Sequence, residues 1–441
     1  MAIRLSDEVE ARVERSVYDR LRGGLDSYLV SVGSFSRNAR LYLIGSFLVG
    51  FNFAVFELLL NLYLKELGFA EGEIGYIQSS RALGMTMIAI PAAMLLSRVR
   101  LKPLLLVCCV LMVVFSYGLS SWTQIGYLIS FGLLSGMAFA FFRVASGPFY
   151  MSNSTPKERT HLFSFSFASF LLAGMVGSLG AGNMVTIITE QTGNIVLGYQ
   201  YTLYAGLAIS ALAMIPLSLI KAAVPSAEEN RINLSWEQFR RRGGFYFRIT
   251  FVNLMVGMGA GLIIPFLNLY FRDRFGLAPD RIGFYFIILQ FSMLAGTLCG
   301  PLLTPRLGLV RTIVITQLAS IPFMLTLSYA YSLYLAVPAF VMRGALMNMG
   351  VPVNTNFCME LCEKSEQGLV NALMMISWTS SWMVSVAIGG HIIEKYGYTV
   401  VLNIAIVFYV LSTLAYYTFF SRVERRHPAG AGWHIPPETR L

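Results

Sequence analysis

The chain has 441 residues, of which 56% are hydrophobic and 13% are charged, whereas soluble domains carry about 25% charged residues. A water-soluble fold cannot bury so much apolar surface, so the composition excludes a cytosolic enzyme, a disordered protein and a disulfide-rich secreted domain. A net charge of +10 would suggest a nucleic-acid partner for a soluble chain, but in a membrane protein it usually reflects topology. We therefore predict an integral membrane protein surrounded by lipid, with no nucleic-acid partner.

The first 38 residues are polar. Within them Val9, Val13, Val17 and Leu21 recur every four residues, a spacing typical of an amphipathic helix, with a solvated tail as the alternative. The rest of the chain predicts an N-terminal six-helix bundle over 39–220, a linker over 221–244, a second six-helix bundle over 245–420 and a tail over 421–441.

Each predicted helix is an apolar run of about 20 residues, enough to cross about 30 Å of hydrocarbon. The runs are too long for barrel strands, so the predicted fold is all-α with twelve transmembrane helices. They lie near 39–64, 74–97, 103–121, 124–150, 161–187, 199–220, 245–271, 282–304, 312–330, 333–358, 369–392 and 397–420.

The positive charges predict the orientation. Fourteen Lys and Arg residues fall in loops after even-numbered segments, and five fall in the opposite loops. Because cytoplasmic loops are enriched in Lys and Arg, both termini and the linker are predicted to be cytoplasmic.

An internal repeat relates the two bundles. The sequence Leu-Asn-Leu-Tyr at 60–63 recurs at 267–270, and Ile-Gly-Tyr at 74–76 recurs as Ile-Gly-Phe at 282–284. Both copies occupy the end of the first segment and the start of the second in their half. The sequence therefore predicts two pseudo-symmetric halves that arose by duplication.

This architecture resembles the major facilitator superfamily. The family signature, approximately Gly-x-x-x-Asp-Arg-x-Gly-Arg-Arg, lies between the second and third helices, where Arg98 and Lys102 match it. The equivalent loop of the second half keeps Arg306 between two glycines. The resemblance implies a secondary transporter that works by alternating access on a small molecule, without a cofactor or metal. It also implies that Arg98, Arg100, Lys102 and Arg306 form cytoplasmic gate loops, although these residues could instead only set topology.

Four ionisable residues fall inside predicted spans: Glu57, Arg81, Arg143 and Arg343. Each costs about 2.5–3.5 kcal/mol at mid-helix, so such residues usually face a cavity or a partner. In the resembled fold, the first helix of each three-helix unit lines the central cavity. The predicted substrate-binding residues on these helices are therefore Asn52, Arg143, Asn253, Arg343 and Asn348, with Asn268 beside them. Trp378 is a further candidate and would form an aromatic wall next to Trp382.

Three arginines against one carboxylate favour an anionic substrate, because the guanidinium binds carboxylate and phosphate in a bidentate manner. Glu57 is the candidate for proton coupling, since a desolvated carboxylate can change its charge near neutral pH, and Arg81 is its candidate partner. The alternative is that Arg81 only neutralises Glu57 while the other arginines bind backbone carbonyls or water.

The sequence has no phosphate-binding loop, and its four histidines are scattered without a paired metal-ligand motif, which argues against an enzyme. We predict a monomeric secondary transporter in the plasma membrane for an anionic or amphipathic organic molecule. The main alternative is an efflux antiporter for lipophilic compounds. A membrane-embedded enzyme and a non-transporting receptor are more distant alternatives.

Overall fold

The structure is a computed structural model that describes residues 35–96, 101–154, 156–221, 242–362 and 366–426. The predicted amphipathic helix, nearly all of the predicted linker and the chain after Arg426 lie outside these ranges. So do Arg98 and Arg100, two of the predicted gate-loop residues.

The described residues are helical almost throughout. The first half contains α1 (Arg37–Glu66), α2 (Glu71–Leu96), α3 (Leu101–Ser121), α4 (Ile125–Ser152), α5 (Pro156–Thr192) and α6 (Ile195–Leu212, continued by Met214–Ser218). In the second half, α7 consists of Gly243–Ile263 and Leu267–Phe275, joined by the 3-10 turn Ile264–Phe266. It is followed by α8 (Pro279–Leu307), α9 (Leu309–Tyr329), α10 (Leu333–Glu360) and the helical segment Gln367–Arg426.

The segment Gln367–Arg426 is two helices that meet at Gly397. This residue has φ 77° and ψ 176°, a conformation that only glycine adopts without strain. We call the part before Gly397 α11 and the part after it α12. In the described residues, ten helical stretches are long and apolar enough to cross a membrane, and one of these is the stretch that contains α11 and α12. The predicted all-helical membrane fold is confirmed.

The repeated tyrosines make equivalent hydrogen bonds in the two halves. Tyr63 Oη donates to the carbonyl oxygen of Ser120 at 3.0 Å, and Tyr270 Oη donates to that of Leu327 at 2.7 Å. In each half the acceptor lies 57 residues after the tyrosine, at the end of the third helix. The sequence repeat therefore corresponds to a structural repeat.

The halves meet through α2 against α11 and α5 against α8. The repeated glycines lie at these two contacts: a Cβ on Gly75 would be 3.0 Å from the Val386 carbonyl oxygen, and one on Gly283 would be 2.5 Å from that of Ser178. Small residues let membrane helices approach closely. The two contacts are thus related by the same pseudo-symmetry as the sequence.

The buried core shows where the halves join. We call the side on which α1 begins and α12 ends the terminal face, and the side on which α1 ends the opposite face. The largest cluster of buried side chains combines both halves near the opposite face, with Leu62 and Tyr63 beside Phe266 and Tyr270. Two further clusters lie near the terminal face, and each belongs to one half. The halves are therefore packed together at the opposite face and form separate cores at the terminal face.

Candidate functional site

A cavity of about 580 Å³ lies within the second half, and residues of all six of its helices line it. Its polar walls include Asn253, Gln317, Arg343, Asn348, Asn354, Thr355 and Asn371, and its apolar walls include Met293, Met347, Met374, Met375, Trp378, Trp382, Tyr409 and Tyr416. This volume is in the range of small-molecule sites, about 300–1,000 Å³. The cavity thus combines a largely apolar wall with a few polar groups.

Arg343 lies on the wall of this cavity and is only 6% exposed. Its Nη2 donates a hydrogen bond to Tyr409 Oη at 2.6 Å, and its guanidinium carbon is 5.7 Å from the centroid of the Tyr409 ring. Among the described residues that line the cavity, Arg343 is the one with a full charge. No carboxylate in the described part of the chain forms an ion pair with it.

The depth of Arg343 follows from its position in α10. It lies ten residues after Leu333, and at about 1.5 Å per residue this places it about 15 Å from the helix end at the opposite face. Tyr409 comes from α12 and is 1% exposed, so its hydroxyl is held in place by packing. The arrangement presents a cation near the middle of the membrane with a neutral hydrogen-bond acceptor as its protein partner.

The two predicted asparagines of this cavity are anchored by their own helices. Asn253 Nδ2 donates to the carbonyl oxygen of Ile249, and Asn348 Nδ2 donates to that of Gly344, both at 2.9 Å. These bonds hold the side-chain amides at the wall, where they can contact a polar group of a ligand.

The aromatic wall is formed by α11. The Trp378 and Trp382 rings are 5.8 Å apart at 34°. Met374 and Met375 lie one turn before Trp378 and also line the cavity. Methionine side chains are flexible and adapt to irregular apolar surfaces, so this wall can accommodate an apolar body of variable shape.

Two predicted substrate-binding residues lie elsewhere, in the first half. Asn52 is 3% exposed and packs against α6, where its Oδ1 would be 3.0 Å from a Cβ on Gly206. The guanidinium carbon of Arg143 lies 4.8 Å from the centroid of the Phe170 ring, in a small pocket of about 30 Å³ that Ser146 also lines. The structure therefore groups Asn253, Arg343, Asn348 and Trp378 and leaves Asn52 and Arg143 outside that group.

Glu57 and Arg81 form an ion pair in the first half. Glu57 Oε1 is 3.2 Å from Arg81 Nη1, which also donates to Gln78 Oε1 at 3.0 Å. The side chain of Glu57 is 44% exposed and that of Arg81 is 10% exposed. Phe53 and Asn61, four residues either side of Glu57, contact Phe139 of α4 and Pro265 of α7. The Glu57 face of α1 therefore points to the interior of the molecule, because residues four apart share one helix face.

Comparison with known proteins supports the architecture. A family model described as Major Facilitator Superfamily matches residues 42–253 and, a second time, residues 249–435. The chain belongs to the Major Facilitator Superfamily. It is a multi-pass membrane transporter of a small molecule and not an enzyme.

Solved structures of transporters have the same fold. A bacterial homologue of the human lysosomal transporter Spinster, in an inward-facing and occupied conformation, matches with a TM-score of 0.74 and 12% identity over 91% of this chain and 97% of that one. The nucleoside transporter NupG matches with a TM-score of 0.69 and 17% identity over 87% of this chain and 99% of that one. A comparison with curated protein sequences found no match. At these identities the solved structures establish the fold alone.

Two residues of the Major Facilitator Superfamily signature loops are described. Lys102 lies in the first turn of α3 with a partly exposed side chain, and Arg306 is exposed near the end of α8. Both lie at the terminal face, where the family signature places them. The gating role predicted for them stays a prediction.

Sequence reasoning missed several polar and aromatic residues of the cavity. Asn354 and Asn371 lie near the helix ends at the terminal face, and Gln317, Tyr409 and Tyr416 lie on α9 and α12. A search for every amide inside an apolar segment would have found Gln317 and both asparagines. The tyrosines carry no such signal, because the chain has 22 of them.

Proposed function

We propose that the protein transports an amphipathic organic anion, which binds in the cavity of the second half with its anionic group on Arg343. The observation that carries this proposal is the single charge of Arg343 among the described residues of the cavity wall. A desolvated cation without an ionic partner is costly. An anionic ligand would neutralise it, and the guanidinium can bind a carboxylate or phosphate through two hydrogen bonds.

The rest of the wall supports an amphipathic ligand over a small inorganic ion. Trp378, Trp382 and the four methionines offer apolar surface that an inorganic anion would leave without contacts. An aromatic or aliphatic body placed against that surface would gain about 25 cal/mol for each Å² of apolar area removed from water. Asn253 and Asn348 can bind further polar groups of the same molecule.

For the transport cycle, we propose alternating access of this site to the two sides of the membrane, with Glu57 as the proton-coupling residue. The charge distribution of the loops supports a cytoplasmic terminal face, and the protein is proposed to act as a monomer in the plasma membrane. With that orientation, the present packing of the halves is an inward-facing state. The ion pair with Arg81 supports the coupling role, because protonation of Glu57 would break it.

The test compares ligands that share one apolar body and differ in charge. Purified protein is heated with 2-naphthylacetate, 2-naphthylacetamide and 2-naphthylethylammonium, and the unfolding midpoint is recorded. We expect stabilisation by the carboxylate in excess of the other two, because a ligand that binds the folded state raises its stability. Equal or greater stabilisation by the ammonium compound would contradict the proposal and favour the export of lipophilic cations.

Transport itself is tested in proteoliposomes loaded with the carboxylate probe. We expect saturable flux that responds to an imposed pH gradient, with loss of the gradient response in Glu57→Gln. Flux that responds equally in wild type and Glu57→Gln would remove Glu57 from the coupling mechanism.

A further inference from the structure

The repeated asparagines join the two halves through a reciprocal pair of hydrogen bonds. Asn61 Nδ2 donates to the carbonyl oxygen of Pro265 in the second half at 2.6 Å, and Asn268 Nδ2 donates to that of Leu58 in the first half at 2.7 Å. Both asparagines are fully buried near the opposite face. The pair must separate whenever that face opens.

The side-chain oxygens of the two asparagines accept hydrogen bonds from different partners. Asn268 Oδ1 accepts a hydrogen bond from the backbone N–H of Leu269, next to it in the chain. Asn61 Oδ1 instead accepts from Gln78 Nε2 at 2.6 Å. Only one member of the pair is therefore tied to another helix within its own half.

Gln78 connects this bond to the intramembrane ion pair. Its Oε1 accepts from Arg81 Nη1, and Arg81 Nη1 contacts Glu57 Oε1. A continuous series of polar contacts thus runs from Glu57 through Arg81, Gln78 and Asn61 to the Pro265 carbonyl. Pro265 lies in the 3-10 turn that interrupts α7, where the backbone hydrogen bonds have poorer geometry than those of an α-helix.

The second half lacks this series. With the repeat offsets of 207 and 208, the positions equivalent to Glu57, Gln78 and Arg81 are Ile264, Phe286 and Leu289. These are apolar residues packed against the core. The connection is therefore a feature of the first half and does not follow from the symmetry of the fold.

We propose that Gln78 is a positioning residue that transmits the charge state of Glu57 to the inter-half hydrogen bond of Asn61. This inference rests on the coupling role proposed for Glu57. With Glu57 ionised, Arg81 is held between the carboxylate and Gln78, and Gln78 holds the Asn61 amide toward Pro265. Protonation of Glu57 removes the anionic partner of Arg81, so Arg81 and Gln78 rearrange together and the bond between Asn61 and Pro265 weakens. The opposite face then opens more readily.

The charged and titratable groups around Glu57 define the controls. Arg81 is the charged group that contacts Glu57 from α2. On the other helices packed against α1, the described groups nearest the opposite face are engaged elsewhere: Tyr204 bonds Ser121, Arg272 pairs with Glu66, and Asp273 accepts from Tyr398. Further groups there include Glu190 on α5, near the end at this face, and Tyr199 on α6, next to Glu66 and Arg272. Tyr270 and Arg274 of α7 bond carbonyl oxygens of α9.

A histidine also contacts the other half at this face. His391 Nε2 is 2.8 Å from Tyr76 Oη, and His391 Nδ1 is 3.7 Å from Glu394 Oε2. Because His391 is a titratable group at the contact between the halves, each measurement is repeated with His391→Gln in the background. In that background, the His391 contact cannot contribute to the pH response of the label distances.

The test measures the opening of the opposite face directly and needs no substrate. Spin labels are placed at Thr123→Cys and Tyr331→Cys, in the exposed α3–α4 and α9–α10 loops of the two halves. The background carries Cys299→Ser, which removes the exposed native cysteine. Distances between the labels are recorded from about pH 5.5 to about pH 8.

We expect the open population of wild type to rise as the pH falls, by about tenfold in the open-to-closed ratio, and to be pH-independent in Glu57→Gln. Gln78→Met should keep the fold and lose the pH response. The second variant is Gln78→Asn, whose side chain is one methylene too short to reach both Asn61 and Arg81. It should also lose the pH response. Asn268→Ala is the matched control: it breaks one inter-half bond, so it should increase opening at every pH but keep the wild-type response.

The outcomes separate the inference from the coupling role. A full wild-type pH response in Gln78→Met or Gln78→Asn, with none in Glu57→Gln, would overturn the inference and leave the coupling role intact. The same pH response in Glu57→Gln as in wild type would overturn both. Loss of the response in Asn268→Ala as well would show a general effect of weakened inter-half contacts and would also overturn the role of Gln78.

Discussion

The arginine of the cavity gives the most direct test of the binding site. Arg343→Gln removes the charge but keeps a hydrogen-bonding side chain on α10. A hydrogen bond to a charged group contributes about 1.5–3 kcal/mol, and about 1.4 kcal/mol corresponds to tenfold in affinity. The affinity for an organic anion should therefore fall about 10- to 100-fold. The affinity for a neutral ligand with the same apolar body should change by less than about threefold, since that ligand makes no charge-assisted bond.

The two tryptophans of the cavity wall provide the assay. Brominated 2-naphthylacetate and its amide should quench the fluorescence of Trp378 and Trp382, which line the same cavity as Arg343. Titration of each ligand gives its dissociation constant for wild type and variant. Arg281→Gln, which removes an exposed charge near the start of α8, is the matched control and should leave both constants unchanged. Equal losses of affinity for the carboxylate and the amide in Arg343→Gln would refute the proposed contact.

Three further predictions follow from contacts inside each half and between the halves. Tyr409→Phe removes the hydrogen bond that orients Arg343, so the same fluorescence titration should show a loss of about 2- to 10-fold in carboxylate affinity with the preference for carboxylate over amide retained. Gly390→Ala would place a Cβ against the carbonyl oxygen of Glu71 across the halves. It should therefore increase the distance between labels at Thr123→Cys and Tyr331→Cys. Gly136→Ala would place a Cβ against the carbonyl oxygen of Arg81 within the first half, so it should instead lower the unfolding midpoint and leave that distance unchanged.

The sequence predicted the architecture well because two strong signals coincide in it. Hydrophobic runs of membrane length are set by the thickness of the bilayer, and the repeated Leu-Asn-Leu-Tyr segment marks equivalent places in the two halves. The extra helical turns of α5, which runs from Pro156 to Thr192 over 37 residues, were not predicted. They lie beyond the apolar run, where polar residues continue the helix outside the hydrocarbon region.

The sequence predicted the cavity residues less well, because the rotation of each helix about its axis decides which of its side chains face the cavity. Arg343 could be located near the membrane centre from its distance along α10 alone. Asn268 has the same residue type as Asn253 and lies on the same helix, yet it bonds to Leu58 across the halves and lies outside the cavity. Asn253 and Asn268 are separated by the 3-10 turn of Ile264–Phe266, which changes the direction in which later side chains point. No periodicity in the sequence reveals that change.

The two halves have kept one fold and divided the polar chemistry between them. With the offset of 208, the position of Arg343 corresponds to Ser135, a buried residue whose hydroxyl bonds its own helix, and the position of Arg81 corresponds to Leu289. A Cβ on Gly136 would meet the Arg81 carbonyl oxygen, and one on Gly344 would meet the Leu289 side chain, so the aligned positions face each other in both halves. The first half therefore has Arg81 and Arg143 where the second half has Leu289 and Val351, and the second half has Arg343 where the first half has Ser135. In the proposed mechanism, Arg81 is neutralised by Glu57 and Arg343 has no carboxylate partner among the described residues, so the ligand anion binds to the second half and the coupling proton to the first. In that mechanism, substrate and proton act on different helices and share one movement of the halves.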